Sequence, residues 1–326
     1  MLRLFKNQNP YTVILLFVIA LVIKVPLLMG SGMPQIEQHQ VLWDILLKKM
    51  HRILGTSVYF HSFLAIISIV LQALYLNYIV SNYHLFNKRS YLPAYTYILV
   101  TSLLPQWSQP GVELFNNWLF LILIHLIYQT YSDLNTRKIL FNIGFVFGLL
   151  VLFNFPNFWF LVFIAFAIAM LRAYKPAEWM VTLLGTITPL YLFVGIAYLT
   201  DHLFLISKLF STSFSLDFRL NNATIIALAV VLALSLAGII MLSKQMSRML
   251  FQIKKIWWVN ILFFIFAIIS TSGIYKQGAE IWVVCLVPAS MFISKSWMIA
   301  KPKWLPELLH LGFIAAIIYI NWFFKS

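Results

Sequence analysis

The residues best suited to chemistry lie in a long loop near the start of the chain. Glu37 and His39 stand there between two apolar segments. A carboxylate held near a membrane surface in a partly desolvated pocket can act as a general base, or it can orient a metal ion for transfer of a phosphate-linked group. A solvated loop glutamate is the commoner case, so both interpretations stay open. Glu37 is the catalytic candidate of this chain.

The segment after this loop predicts an amphipathic helix that lies in the membrane interface, over residues 41–54. One interpretation is a helix that covers the bundle and extends its lysines to the membrane surface. The other is that its basic face, with Lys48 and Arg52, binds a phosphate-bearing lipid head group. The pattern places Asp44, Lys48, His51 and Arg52 on the polar face and Leu42, Ile45, Leu46 and Ile53 on the apolar face.

Lys24 is the charged residue that lies well inside an apolar segment. A lysine at the centre of a bilayer costs roughly 2.5–3.5 kcal/mol on insertion scales, and less near the edge. Lys24 either extends its amine to the surface or has a function. If it faces the bundle, we expect Glu37, Asp44 or a ligand phosphate as its partner.

A third group of polar residues lies in and just after the next loop that is predicted on the same side of the membrane as residues 30–55. Trp107, Glu113 and Asn117 stand within ten residues of one another. A carboxylate and an amide beside an indole ring suit the hydroxyls and the face of a sugar. They equally suit a helix cap and an aromatic belt at the membrane surface. The substrate-binding candidates are therefore Lys24, Lys48, Arg52, Trp107, Glu113 and Asn117.

Motifs of soluble enzymes do not occur in the sequence. It contains no phosphate-binding loop, no Gly-x-Ser-x-Gly, no dinucleotide fingerprint and no zinc-binding histidine pattern. His125 has no second histidine at ligand spacing in its segment, and the single cysteine, Cys285, has no partner. We predict no cofactor, although a divalent metal ion remains an open question.

The composition defines the environment that must position these residues. The chain has 326 residues, of which 62% are hydrophobic, and its mean hydropathy is +0.90. Soluble domains are usually about 45–50% apolar. Only helices and closed barrels satisfy every backbone group in lipid, and continuous apolar runs exclude the alternation of a barrel. The sequence predicts an all-α, polytopic transmembrane bundle that forms a single domain over residues 1–326, with an outer loop at residues 30–55.

Eleven apolar segments are predicted to cross the membrane, within a range of nine to twelve. Two short ones, joined by the turn Asn154-Phe155-Pro156-Asn157, would fit a re-entrant hairpin equally well. The predicted spans are 10–29, 56–80, 91–105, 114–131, 139–153, 158–171, 179–199, 223–242, 256–271, 281–294 and 306–323.

The distribution of charge predicts the orientation. Of the 23 basic residues, 15 fall in loops on the side of the N-terminus, 7 fall on the other side and Lys24 lies within the first span. Because cytoplasmic loops carry the excess of Lys and Arg, the N-terminus is predicted inside and the C-terminus outside, in a bacterial inner membrane. The net charge of +14 is spread over helix ends rather than gathered in one patch, which argues against nucleic acid as a partner.

This layout resembles the GT-C superfamily of integral-membrane glycosyltransferases. The resemblance rests on an acidic residue in the first outer loop, an interfacial helix after it, many short spans, and the stretch from Tyr91-Leu-Pro-Ala-Tyr through Ala177; it covers residues 1–200. It implies a polyprenyl-phosphate sugar donor and gives Glu37 the position of the first-loop acid, which acts as base or metal partner. The whole chain also resembles an uncharacterised family of multi-spanning Bacteroidota proteins, especially in its opening Met1-Leu-Arg-Leu-Phe-Lys.

Three functions are compatible with the sequence. The first is transfer or polymerisation of glycans from a lipid carrier at the outer face. The second is a non-enzymatic subunit of an envelope assembly or secretion complex, and the third is a transporter. Ion-coupled carriers usually place ionisable groups near the membrane midplane and have internal repeats; no repeat is visible here. The expected partners are membrane lipids, a polyprenyl-phosphate-linked sugar and other membrane proteins.

Overall fold

The structure is a computed structural model of the chain. It describes residues 2–6, 9, 11–25, 27, 41–54, 57–131, 136–172, 175–210, 221–272, 278–300 and 304–323. In these ranges the regular elements are helices, which confirms the all-α prediction. They are α1 Leu2–Phe5, α2 Tyr11–Ile23, α3 Val41–Leu54, α4 Val58–Asn82, α5 Leu92–Thr101, α6 Val112–Gln129, α7 Thr136–Phe153, α8 Phe160–Leu171, α9 Pro176–Leu199, α10 Phe204–Phe210, α11 Asn222–Met246, α12 Phe251–Ser272, α13 Val283–Ile299 and α14 Trp304–Phe323, with 3₁₀ helices at Pro105–Ser108, Phe155–Trp159 and Ala279–Trp282.

Each predicted span coincides with one of these helices. In the described part of the chain, 8 helices are long and apolar enough to cross a membrane, and α2, α5 and the run Phe155–Leu171 are shorter apolar helices. The chain is therefore a multi-pass membrane protein. Of the two segments that were compatible with a re-entrant hairpin, α7 is long enough to cross on its own, whereas the second is the short run Phe155–Leu171.

Contacts between helix ends show which of them lie together at each end of the bundle. Arg172, at the end of α8, contacts Thr130 after α6 and Thr136 at the start of α7. Asn321, near the end of α14, donates to the Ser102 carbonyl after α5. We call the end that contains Arg172 the basic end, and the end that contains Asn321 the opposite end. The N-in orientation predicts that the basic end is cytoplasmic.

The core of the bundle is built around α13. In the apolar segment Ala279–Ile299, which contains α13, 94% of the membrane-spanning residues are buried, compared with 22% in α9 and 28% in α14. A helix that is apolar on all sides is typical of the centre of a bundle. Large apolar residues on the outer helices, such as Tyr191, Leu199 and Leu311, are exposed, as expected where a helix meets lipid.

Helices α7 and α9 pack with their backbones in contact. A Cβ atom at Gly185 of α9 would lie 2.3 Å from the Phe141 carbonyl oxygen, and one at Gly144 of α7 would lie 2.0 Å from the Thr182 carbonyl oxygen. Further along, Gly148 meets Thr186 and Pro189. Small residues permit this close approach between membrane helices. The contacts advance together along both helices, so α7 and α9 are parallel and both begin at the basic end.

A helix over the predicted residues 41–54 is present as α3, and its apolar residues divide between protein contacts and the exposed surface. Its buried side chains are Trp43 and Leu47, and Trp43 lies 6.1 Å from the Phe115 ring. Ile45 and Leu46, which belong to the predicted apolar face, are exposed. Apolar residues of an interfacial helix can face lipid or protein, so the apolar residues of α3 divide between these two surroundings.

Candidate functional site

Lys24 lies at the opposite end of the bundle, directly after α2, and its side chain is buried with 2% of its surface exposed. Its Nζ donates hydrogen bonds to Thr101 Oγ1 at 3.1 Å and to Ser108 Oγ at 2.5 Å. Thr101 ends α5, and Ser108 ends the 3₁₀ helix that follows it. The amine therefore points into the protein rather than to the membrane surface.

Among the described residues, the Lys24 amine has two hydroxyl partners and no carboxylate partner. Both hydroxyls use their own protons elsewhere: Thr101 donates to the Tyr97 and Ile98 carbonyls, and Ser108 donates to the Thr101 carbonyl. They can thus accept from Lys24 but do not neutralise it. A buried cation is costly unless an anion pairs with it, and no carboxylate among the described residues does so.

A narrow cleft adjoins the Lys24 amine. Its free volume of about 10 Å³ is at most the space of one water molecule. Contact with a phosphate would thus require the cleft to widen at its mouth. Ile23, Lys24, Leu27, Ser102, Leu104, Pro105, Ser108 and Asn321 line the cleft.

Trp107, Glu113 and Asn117 lie at the same end of the bundle, and all three are buried. Trp107 Nε1 donates to the Ala279 carbonyl at 2.8 Å, and Glu113 Oε1 accepts from Asn154 Nδ2 at 2.7 Å. These bonds tie the 3₁₀ helix Pro105–Ser108 and α6 to their neighbours. The predicted sugar subsite stays a prediction, and any sugar would have to compete with these internal partners.

Asn117 belongs to a chain of buried hydrogen bonds that sequence analysis missed. Its Nδ2 donates to Tyr97 Oη at 3.1 Å and to the Val283 carbonyl at 3.3 Å. Tyr97 in turn donates to Gln72 Oε1 at 2.7 Å, and Gln72 Nε2 donates to the Leu114 carbonyl at 2.7 Å. The chain joins α4, α5, α6 and α13 just below the opposite end. The Tyr97 carbonyl also accepts a hydrogen bond from Thr101, which is a partner of Lys24.

The remaining predicted site residues fall in two groups. Lys48 and Arg52 are exposed on α3. Glu37 and His39 lie outside the described residues. Among the residues that the structure describes, no group of three or more His, Cys, Asp or Glu side chains is arranged to hold a metal ion.

Comparison with known proteins gives the family of the chain. Residues 41–325 match DUF6427, a family of unknown function. The chain belongs to this family. No curated protein matches the sequence.

One solved structure shares the fold. It is the crystal structure of ArnT from Cupriavidus metallidurans bound to undecaprenyl phosphate, which aligns with a TM-score of 0.57 at 15% sequence identity. The alignment covers 95% of this chain and 64% of the ArnT chain, so this chain spans less than two thirds of the length of that protein. The likeness confirms the predicted GT-C-like architecture at the level of the fold.

Proposed function

We propose that this protein binds a polyprenyl phosphate, or a sugar linked to one, at the opposite end of its bundle, and that it transfers the sugar at the outer face of the inner membrane. The observation that carries the proposal is the buried Lys24, whose amine has hydroxyl partners only within the described chain. The likeness in fold to ArnT, which was crystallised with undecaprenyl phosphate, supports the same ligand chemistry.

Lys24 would supply the charge that binds the phosphate. A phosphate oxygen that replaces one hydroxyl partner would form a charge-assisted hydrogen bond, which is roughly twice as strong as a neutral one. Lys48 and Arg52 are exposed on α3 and would attract the anionic head group to the membrane surface. In this proposal Glu37 acts as the base or metal partner during transfer, and Trp107, Glu113 and Asn117 form the sugar subsite.

A non-catalytic role is the second candidate, and one observation favours it. Trp107, Glu113 and Asn117 are buried and hydrogen-bonded to protein groups. If these bonds persist in the working protein, no sugar subsite exists. The protein would then bind lipid phosphate as a subunit of an envelope assembly complex, and purification in mild detergent would recover stoichiometric partners.

Glu37→Gln separates catalysis from binding. We expect this change to reduce the rate at which envelope glycan forms by about 100-fold or more, because general acid–base catalysis contributes roughly 10²–10⁴-fold to a reaction rate. The measurement is the glycan content of cells that contain the variant at normal protein level. The control is Asp201→Asn, since Asp201 is an exposed carboxylate at the opposite end of the bundle with φ 56°, a conformation that asparagine tolerates.

The result for Glu37→Gln distinguishes the two candidate functions. Loss of glycan in Glu37→Gln but not in Asp201→Asn supports transfer by this protein. Unchanged glycan in both, with normal protein levels, would remove the catalytic role of Glu37 and leave the non-catalytic candidate.

A further inference from the structure

The basic end of the bundle, far from Lys24, contains a second candidate site for binding an anion. A cleft of about 590 Å³ lies where α7 and α9 begin and α8 ends. This volume falls within the range of roughly 300–1,000 Å³ that is typical of ligand sites. Thr136, Arg137, Lys138, Arg172, Lys175, Ala177 and Glu178 line it.

One of the four cations in this cleft is committed to the protein. Arg172 is half-buried, donates to the Thr130 carbonyl at 3.2 Å and to the Thr136 hydroxyl, and lies 3.7 Å from Glu178. The acidic residue of the lining is thereby used. Arg137, Lys138 and Lys175 are exposed. Among the residues that the structure describes, the cleft therefore presents three exposed positive charges in excess.

The position of these charges on their helices is electrostatically unfavourable without a ligand. The start of a helix carries a partial positive charge, which acidic residues or anions stabilise and cations do not. Arg137 and Lys138 occupy the first turn of α7, which contains no acidic residue, whereas Lys175 is the N-cap of α9, whose first turn contains Glu178. An anion in the cleft would relieve the repulsion among the three exposed cations and the start of α7.

The walls of the cleft are held in fixed positions. The backbone contact of Gly144 and Gly185 with the facing helix locks α7 and α9 together in parallel. Their two starts, and the cations on them, are therefore held side by side before any ligand arrives. This preorganisation lowers the cost of binding.

We infer that this cleft binds the phosphate group of an anionic phospholipid or a free phosphate at the basic end, independently of the lipid-phosphate site at Lys24. Basic pockets between membrane helices on the cytoplasmic side are typical sites for phospholipid head groups. The charge distribution of the sequence predicts that this end is cytoplasmic. Cytoplasmic anions would stabilise the junction of α7, α8 and α9.

The test is a titration of the purified full-length protein with dioleoyl phosphatidylglycerol, followed by native mass spectrometry, with dioleoyl phosphatidylcholine as the zwitterionic reference. The test variant is Arg137→Gln/Lys138→Gln/Lys175→Gln. The matched control is Lys88→Gln/Lys244→Gln/Lys254→Gln, which removes as many cations from the basic end but none from the cleft. A parallel titration adds inorganic phosphate as competitor.

We expect the test variant to bind phosphatidylglycerol on the order of 100-fold more weakly than the unmodified protein, since each cation beside the bound head group contributes about five-fold. The control should change by less than about five-fold. Displacement of the lipid by inorganic phosphate identifies the phosphate group alone as the ligand. A cleft-specific loss without displacement identifies the lipid head group.

Equal losses in the two triple variants, or equal binding of the two lipids by the unmodified protein, would overturn the inference. If the test variant does not purify as a folded protein, Lys175→Gln against Lys244→Gln gives the same comparison with an expected difference of about five-fold. Neither variant contacts Lys24, so the outcome is independent of the proposed function.

Discussion

Gly185→Ala should destabilise the protein by about 2 kcal/mol or more, because overpacking of a close-packed interior typically costs 1–3 kcal/mol and here the obstacle is backbone. The added Cβ would meet the Phe141 carbonyl oxygen at 2.3 Å and the Phe145 nitrogen at 3.1 Å. Neither atom can rotate away. Helices α7 and α9 would have to separate along their contact.

The matched control lies on the same helix. A Cβ at Gly195 of α9 has no atom within 4 Å. Gly195→Ala should therefore leave stability unchanged, or raise it by up to about 1 kcal/mol through helix propensity. Thermal unfolding of both variants in the same detergent measures the difference. Equal melting temperatures would contradict the close packing of α7 against α9.

The second large effect is expected at Lys24, where a substitution should weaken binding without lowering stability. Lys24→Met removes a buried charge. The hydroxyls of Thr101 and Ser108 keep their own hydrogen bonds in this variant, since both donate to backbone carbonyls. Replacing buried ionic groups by apolar ones is often neutral or stabilising by 1–4 kcal/mol. Binding of undecaprenyl phosphate should fall about 30-fold or more, because truncating one partner of a buried charge pair costs 2–5 kcal/mol.

Lys295 provides the control for this prediction. It is an equally buried lysine, with 2% of its surface exposed, but it lies toward the basic end of α13. Its Nζ donates to the Leu85 carbonyl at 2.9 Å and lies 5.0 Å from the Phe86 ring centroid and 5.5 Å from that of Trp257. Lys295→Met should therefore lower stability, since it removes these contacts, and leave lipid-phosphate binding unchanged.

Measurements of melting temperature and lipid affinity on both lysine variants complete this test. A loss of stability in Lys24→Met equal to that in Lys295→Met would assign Lys24 a structural role. Unchanged affinity in Lys24→Met would remove it from the phosphate site.

Helix positions could be predicted from the sequence because apolar length is set by the membrane itself. Every predicted span coincides with a helix, and the interfacial helix begins and ends at the predicted residues 41 and 54. The packing face of α3 could not be predicted in this way. Hydrophobicity does not separate Leu47, which contacts protein, from Leu46, which is exposed, because lipid and protein interior are equally apolar.

The candidate site was predictable only where a residue type was out of place. Lys24 stands out as a charge in an apolar segment, and Trp107 and Asn117 stand out beside a loop. The partners of Lys24, Thr101 and Ser108, do not stand out in the sequence, because serine and threonine are common in membrane helices. Their contact with Lys24 also joins distant parts of the chain. The bond from Tyr97 to Gln72 was missed for the same reason.

Photocrosslinking tests the central claim, phosphate binding at Lys24, most directly. The probe is a polyprenyl phosphate with a photoreactive group beside its phosphate, used on the protein in lipid nanodiscs with and without excess undecaprenyl phosphate. We expect crosslinks to residues of the Lys24 cleft, in segments 23–27 and 102–108, that excess undecaprenyl phosphate abolishes and that are lost in Lys24→Met. Crosslinks confined to the lipid-exposed surface of α9 and α14, or unchanged in Lys24→Met, would contradict it.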